Sequence, residues 1–170
     1  MRNVVLYIAM SLDGYIADEN GGVEWLAGEN PDGDDMQSYT RFIETVDTVL
    51  LGYRTYRQIV TELSPGNWIY GGKTCYVFTH RAEADTKDIC FINRDLGPFI
   101  AELKAQTGRD IWGCGGANLV TQLLKLDLID RFHITVIPTI LGRGIRLFEN
   151  RENGRENRLR LIGTKSYNGL

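Results

Sequence analysis

The chain has 170 residues, the length of one domain, and its 43% apolar residues suffice for a core that needs neither disulfide nor metal. Charged residues make up 24%, which argues against disorder, and 22 acidic against 19 basic residues leave a net charge of −3, the wrong balance for a general nucleic-acid binder. No apolar run nears the roughly 18 residues of a membrane span, and Met1-Arg2-Asn3 leads straight into a strand-like run rather than a signal peptide; the expected compartment is the cytoplasm, with no membrane partner.

Short apolar runs alternate with helical patterns. Val4 to Met10 is nearly all apolar, as in a strand buried on both faces, and Ser11-Leu12-Asp13-Gly14 breaks it. A polar stretch of about eighteen residues follows, Asp18 to Asp35, a length typical of functional loops. Met36, Tyr39, Phe42, Ile43 and Val46 then recur at helical spacing, with Asp34 and Asp35 where a helix dipole favours carboxylates. Thr48 to Leu51 reads as a second strand closed by Gly52, and Tyr56, Ile59, Val60 and Leu63 mark a short helix that stops before Pro65-Gly66. Strands are expected at Thr74–Thr79 and Ile89–Ile92, then a helix on Phe99, Ile100 and Leu103, then a brief strand at Ile111-Trp112. Leu119, Val120, Leu123 and Leu124 give one more helix; Phe132–Ile137 alternates like a strand with one wetter face, and Leu159–Lys165 reads as the last strand. Such alternation implies parallel pairing, right-handed crossovers and helices on both faces of one α/β domain spanning residues 1–170.

Cys75, Cys90 and Cys114 are odd in number and none sits in a CxxC pair. With only His80 and His133 beside them, little is available to build a zinc site, and they read as reduced thiols.

In such sheets ligands collect at the carboxyl ends of the strands, and three ends carry suitable chemistry. Gly113-Cys114-Gly115-Gly116-Ala117-Asn118 opens a helix whose free N–H groups would attract a pyrophosphate, although a glycine-rich turn of this kind is also common without a ligand. Gly52-Tyr53-Arg54-Thr55 repeats the pattern; helix capping explains Thr55 equally well, and a solvated surface charge explains Arg54. Thr79-His80-Arg81 offers hydroxyl, imidazole and guanidinium to a phosphate monoester, or forms a plain surface turn.

With these three ends in place, the chain resembles the dihydrofolate reductase superfamily, and within it the reductase domain at the carboxyl end of the bacterial bifunctional deaminase-reductase of riboflavin synthesis. The likeness runs from Val4 to about Leu170. Met10–Ala17, Leu51–Tyr56, Ile111–Leu119 and Val136–Phe148, with Leu141-Gly142-Arg143-Gly144, carry it. It implies a three-layer αβα fold, a mainly parallel central sheet with an antiparallel C-terminal strand, and NADPH as hydride donor to a small planar heterocycle. The best named activity is reduction of 5-amino-6-(5-phosphoribosylamino)uracil; dihydrofolate reduction, or a nucleotide-binding module without catalysis, are the alternatives. The zinc motif of the deaminase partner is absent from these residues.

By position, the resemblance places Ala9, Ile16 and Ala17 at the nicotinamide, and Gly52 to Thr55 with Gly113 to Leu119 at the pyrophosphate. Thr79, His80 and Arg81 would face the adenosine phosphate. Many relatives carry Arg directly after the turn glycine, where this chain has Tyr53 followed by Arg54. For the carboxylate that supports protonation, Asp35 and Asp13 are the candidates; Met36 or Ser38 could occupy the helix position instead, and Asp13 could simply cap an Asp-Gly turn. Trp25 either packs under the long loop or touches substrate. The resemblance also implies a homodimer, with Ile137–Leu141 as a contact edge. Tyr167-Asn168-Gly169 is a hairpin-turn signal; its return strand is expected beyond Leu170 or from a covering neighbour.

Overall fold

The computed structural model describes residues 1–26, 36–148 and 156–166. Twelve elements are found among them: β1 (Val4–Ser11), β2 (Tyr15–Ala17), α1 (Met36–Thr45), β3 (Val46–Gly52), α2 (Tyr53–Gln58), β4 (Thr74–Phe78), β5 (Ile89–Ile92), α3 (Leu96–Ala105), β6 (Asp110–Gly115), α4 (Ala117–Lys125), β7 (Arg131–Ile137) and β8 (Ile145–Arg146). A 3₁₀ turn at Glu24–Leu26 follows β2, and α2 runs on into a π turn at Ile59–Leu63.

Six strands form one wholly parallel sheet in the order β5-β4-β3-β6-β1-β7. Strands fed by the apolar runs at Val4, Thr48, Thr74 and Ile111 therefore occupy the four central places, as their two-sided burial requires. Successive strand residues point to opposite faces, and the core divides accordingly. Val5, Val49, Leu51 and Trp112 pack with Phe42 of α1, Ile59 and Tyr70. Their neighbours Val4, Leu50 and Ile111 pack with Phe99, Ile100 and Leu103 of α3 and with Leu119 and Leu123 of α4. Helices thus cover both faces, the expected three layers.

The antiparallel pairing lies in a separate two-stranded sheet, where Tyr15 and Ala17 of β2 pair with Arg146 and Ile145 of β8. The strand expected at Leu159–Lys165 does not form. Residues 156–166 carry no regular structure, and Leu159, Leu161 and Ile162 are 64%, 79% and 81% exposed. Strand propensity alone cannot hold a segment that has no ladder partner, and the outer edge of β7 stays unpaired among the described residues. The Tyr167–Gly169 turn lies outside the described residues.

At the amino end of the sheet, buried Arg2 is held by the Asp47 carboxylate, by Thr48 Oγ1 at 2.6 Å and by the Arg109 carbonyl at 2.6 Å. This fully paired cation leaves the opposite, carboxyl end of the strands as the place where groups remain available. No helix among the described residues is long and apolar enough to cross a membrane.

Candidate active site

Two of the three glycine or hydroxyl turns meet in space. Since β3 and β6 are sheet neighbours, the turn after each lies beside the other. A Cβ on Gly52 would stand 3.6 Å from the Gly116 nitrogen and 4.0 Å from Leu119 Cβ, and one on Gly116 would stand 3.0 Å from Thr55 Oγ1. Helices α2 and α4 both start here, capped by Gly52 and Gly116 with no side-chain hydrogen bond. Two first turns whose N–H groups lack a side-chain cap lie side by side, an arrangement that suits a pyrophosphate. Thr55 does not cap its helix; it faces the Gly116 turn. The Gly115–Gly116 peptide is cis, and Gly115 has φ of +123°.

Within this second turn, Gly113 and Gly115 are buried, and Leu123 Cδ1 and Ile8 Cδ1 would meet a Cβ there in ordinary contact at 3.4 and 3.5 Å. Ala117 and Leu119 anchor α4 in the core, and Asn118 accepts a 2.6 Å bond from Gln122 Nε2. Cys114 contributes backbone only: its half-buried thiol lies 3.5 Å from the Tyr70 hydroxyl, and burial pushes it up to about 11, so it is no nucleophile at neutral pH.

The third strand end joins this cradle through Tyr53. Phe78 of β4 pairs with Gly52 of β3, so the residues after each strand are neighbours. The Arg81 guanidinium lies over the Tyr53 ring, 5.0 Å from its centroid, and the Tyr53 hydroxyl donates to Glu83 Oε1 at 2.5 Å. The Arg81 amide donates to Thr79 Oγ1 at 3.0 Å, and His80 Nδ1 lies 2.9 Å from Asn93 Oδ1, which ties the ends of β4 and β5 together. Arg54 is exposed.

Ala9 is half-buried near the end of β1, in register with Thr135 of β7. Ile16 packs partly onto the Leu6–Val120–Leu147 cluster, and Ala17 is buried in β2. The loop after β2 closes on Asp18, whose Oδ1 accepts the amides of Asn20 and Gly22 at 2.7 and 2.8 Å. Gln58 of α2 then donates to the Gly21 carbonyl at 2.7 Å and holds that loop beside the cradle. Nothing in a linear reading singled out Gln58, because its partner lies 37 positions away.

Asp13 is held as a clip between the Ser11 and Leu141–Gly142 turns. Its carboxylate accepts from Ser11 Oγ at 2.6 Å, from the Leu141 amide at 3.1 Å and from the Gly142 amide at 2.7 Å. The Ser11 bond, followed by the two amides, holds it below the ordinary carboxylate range, so it is an anion at neutral pH. A depressed carboxylate contributes stability above its unfolded value and loses it as pH falls through the folded one. Asp13→Asn should therefore lower the urea midpoint at pH 7, with the gap to the native chain closing in acid. A gap that persists below the carboxylate range would show that the charge is not what these bonds use.

Asp35 lies outside the described residues. Trp25 sits half-buried in the Glu24–Leu26 turn, its indole N–H buried without a partner among the described residues. Tyr7, Tyr39 and His133, not singled out in the sequence as site residues, meet Ser38 on the α1 face of β1: the Tyr7 ring stacks on Phe42 at 4.1 Å, its hydroxyl lies 3.3 Å from Ser38 Oγ, and His133 and Tyr39 lie 6.1 and 6.3 Å from its ring. Burial lowers His133 and raises Tyr39, so both are neutral near pH 7. A cavity of about 330 Å³ lined by Leu124, Asp127, Ile129, Phe132 and residues 156–159 lies at the far end of α4 from these groups. No cluster of three potential metal ligands occurs among the described residues.

The chain is similar to several known proteins. The Bacillus subtilis (strain 168) proteins YwjB and YyaP, both uncharacterized, are 46% and 31% identical over 98% of this chain, covering 92% and 89% of their own lengths. A crystal structure from Shewanella sp. PV-4, described as a riboflavin biosynthesis protein, superposes with a TM-score of 0.84 at 30% identity, covering 99% of this chain and 94% of that one. A Thermotoga maritima diaminohydroxyphosphoribosylaminopyrimidine deaminase/5-amino-6-(5-phosphoribosylamino)uracil reductase shares the fold, with a TM-score of 0.63 at 18% identity, over 91% of this chain and 51% of that one. The model of the RibD C-terminal domain matches residues 2–169, and the chain belongs to that family.

Proposed function

We propose that the chain is an NADPH-dependent reductase that transfers hydride to a planar heterocycle of the 5-amino-6-(5-phosphoribosylamino)uracil type. The observation that carries this reading is the contact between the Gly52 and Gly116 turns, with Arg81 alongside on Tyr53. The residues fit the cofactor: two uncapped helix starts suit its pyrophosphate, glycines admit its backbone-close approach, and Thr79, His80 and Arg81 suit a 2′-phosphate. When bound, the nicotinamide supplies the hydride. The chain's own part is to hold the pyrophosphate between α2 and α4, and to present the end of β1 at Ala9 to the ring. It also positions the loop after β2 through Gln58.

The test is NADPH oxidation with the ribosylamino-uracil phosphate and, in parallel, with dihydrofolate; turnover of dihydrofolate alone would reverse the assignment. Arg81→Ala should weaken NADPH by about 1–3 kcal/mol and leave NADH nearly unchanged, since one charged hydrogen-bond donor to the extra phosphate is lost. Fluorescence titration decides it, and equal losses for both cofactors would reject the role of Arg81. We further propose a homodimer with Ile137–Leu141 at its contact edge, where Ile140 is 73% exposed. Light scattering that returned a 19.2 kDa particle at micromolar concentration would contradict it.

A further inference from the structure

We infer that Tyr53 keeps Arg81 available for a ribose 2′-phosphate by holding Glu83 on its hydroxyl while its ring carries the guanidinium. This rests on the reading of the chain as a nucleotide-dependent reductase, and adds to it the device by which the phosphate would be recognised.

Arg81 and Glu83 are two residues apart after β4, a spacing at which opposite charges in an extended segment readily meet. Yet no ion pair joins them among the described residues. Tyr53, the first residue of α2, stands between their fates. Its hydroxyl donates to Glu83 Oε1 at 2.5 Å, and its ring lies under the Arg81 guanidinium at 5.0 Å. The bond to Glu83 raises the phenol above its ordinary value, so it remains a donor throughout the physiological range. A guanidinium stacked on a ring face keeps its fork of N–H groups in its own plane, open for a bidentate phosphate contact. The stack also fixes the guanidinium in advance, so less side-chain freedom is lost on binding. Without the hydroxyl, Glu83 is released to turn to Arg81, two residues away. That pairing would occupy the fork and set a carboxylate against the incoming phosphate.

The experiment is calorimetric titration of the full chain with adenosine 2′,5′-bisphosphate and with ADP, which lacks the 2′-phosphate. Tyr53→Phe removes the hydroxyl and keeps the ring. It should weaken the bisphosphate about tenfold, the scale of one charged hydrogen bond, and leave ADP unchanged. Adding Glu83→Gln to Tyr53→Phe should restore the bisphosphate to within about twofold of the native chain, because a neutral amide cannot compete for Arg81. Glu83→Gln alone, which leaves the Tyr53 ring and hydroxyl in place, should bind the bisphosphate at least as well as the native chain. The inference is overturned if Tyr53→Phe binds the bisphosphate normally, if both ligands weaken equally, or if Glu83→Gln fails to rescue. A native chain that binds neither ligand would instead overturn the cofactor reading, and this inference with it.

Discussion

Replacing Gly144 by alanine should cost about 4 kcal/mol or more, a large part of the stability of a typical domain. At this position φ is +144°, and a Cβ would stand 2.2 Å from the Ala17 carbonyl oxygen and 3.1 Å from Asp18 Cα. Both obstacles are backbone, so no side chain can swing aside. Gly144 lies between two attachments: the Gly142 amide on Asp13, and β8, which pairs with β2. Just beyond, Leu147 is fully buried and its amide donates to the Gly14 carbonyl at 2.9 Å. Relieving the clash would mean unpairing β2 from β8 and pulling Leu147 out of the core. Gly142→Ala is the control. Its φ is +73°, but nothing lies within 4 Å of its Cβ, so only backbone strain of about 1–2 kcal/mol is expected. Urea unfolding of both variants decides the matter; equal losses would mean that strain, not the contact with Ala17, sets the cost.

Much of the fold was legible because its signals are local. Alternate burial of Val49, Leu50 and Leu51 needs helices on two sides, and a run of that kind between helical patterns is enough to place β3 in the sheet's interior. The glycine turns after β3 and β6 were likewise readable, since a helix start with glycine beside it is written in adjacent residues. What could not be read was which distant groups those turns meet. Asp13 looks like a candidate acid until its partners, 128 and 129 positions away, are known; two amides and a serine then make it a clip. Tyr53 stands where many relatives carry Arg, and its stack under Arg81, 28 positions on, is equally invisible in the sequence. Leu159–Lys165 has strand-like composition, yet composition does not supply a neighbouring strand, and the segment lies open.

Gly115→Ala should weaken NADPH binding by about a hundredfold and cost about 3 kcal/mol of stability, a combination not expected of a change confined to the Arg81 end. The φ of +123° at Gly115 falls where an L side chain is strained, whatever the space available. Space is not what limits it, since Ile8 Cδ1 at 3.5 Å from the Cβ position is an ordinary contact. To relax, the backbone must rotate at the carboxyl end of β6, and Gly116 would turn with it. Gly116 caps α4 and stands across from Thr55 and Gly52, so the rotation would separate the two helix starts that are to hold the pyrophosphate. Misdirecting one set of first-turn N–H groups removes several charged hydrogen bonds at once, so the expected loss lies at the upper end of that for Arg81→Ala. It should also fall on NADPH and NADH alike, because both carry the pyrophosphate. At Gly52, by contrast, a Cβ meets the Gly116 nitrogen only at 3.6 Å, an ordinary contact, and φ is −77°. Gly52→Ala should therefore fold with little loss. Titrating both variants with both cofactors separates the outcomes: a Gly115→Ala chain that is folded and binds NADPH normally would show that the cradle between α2 and α4 is not where the cofactor lies.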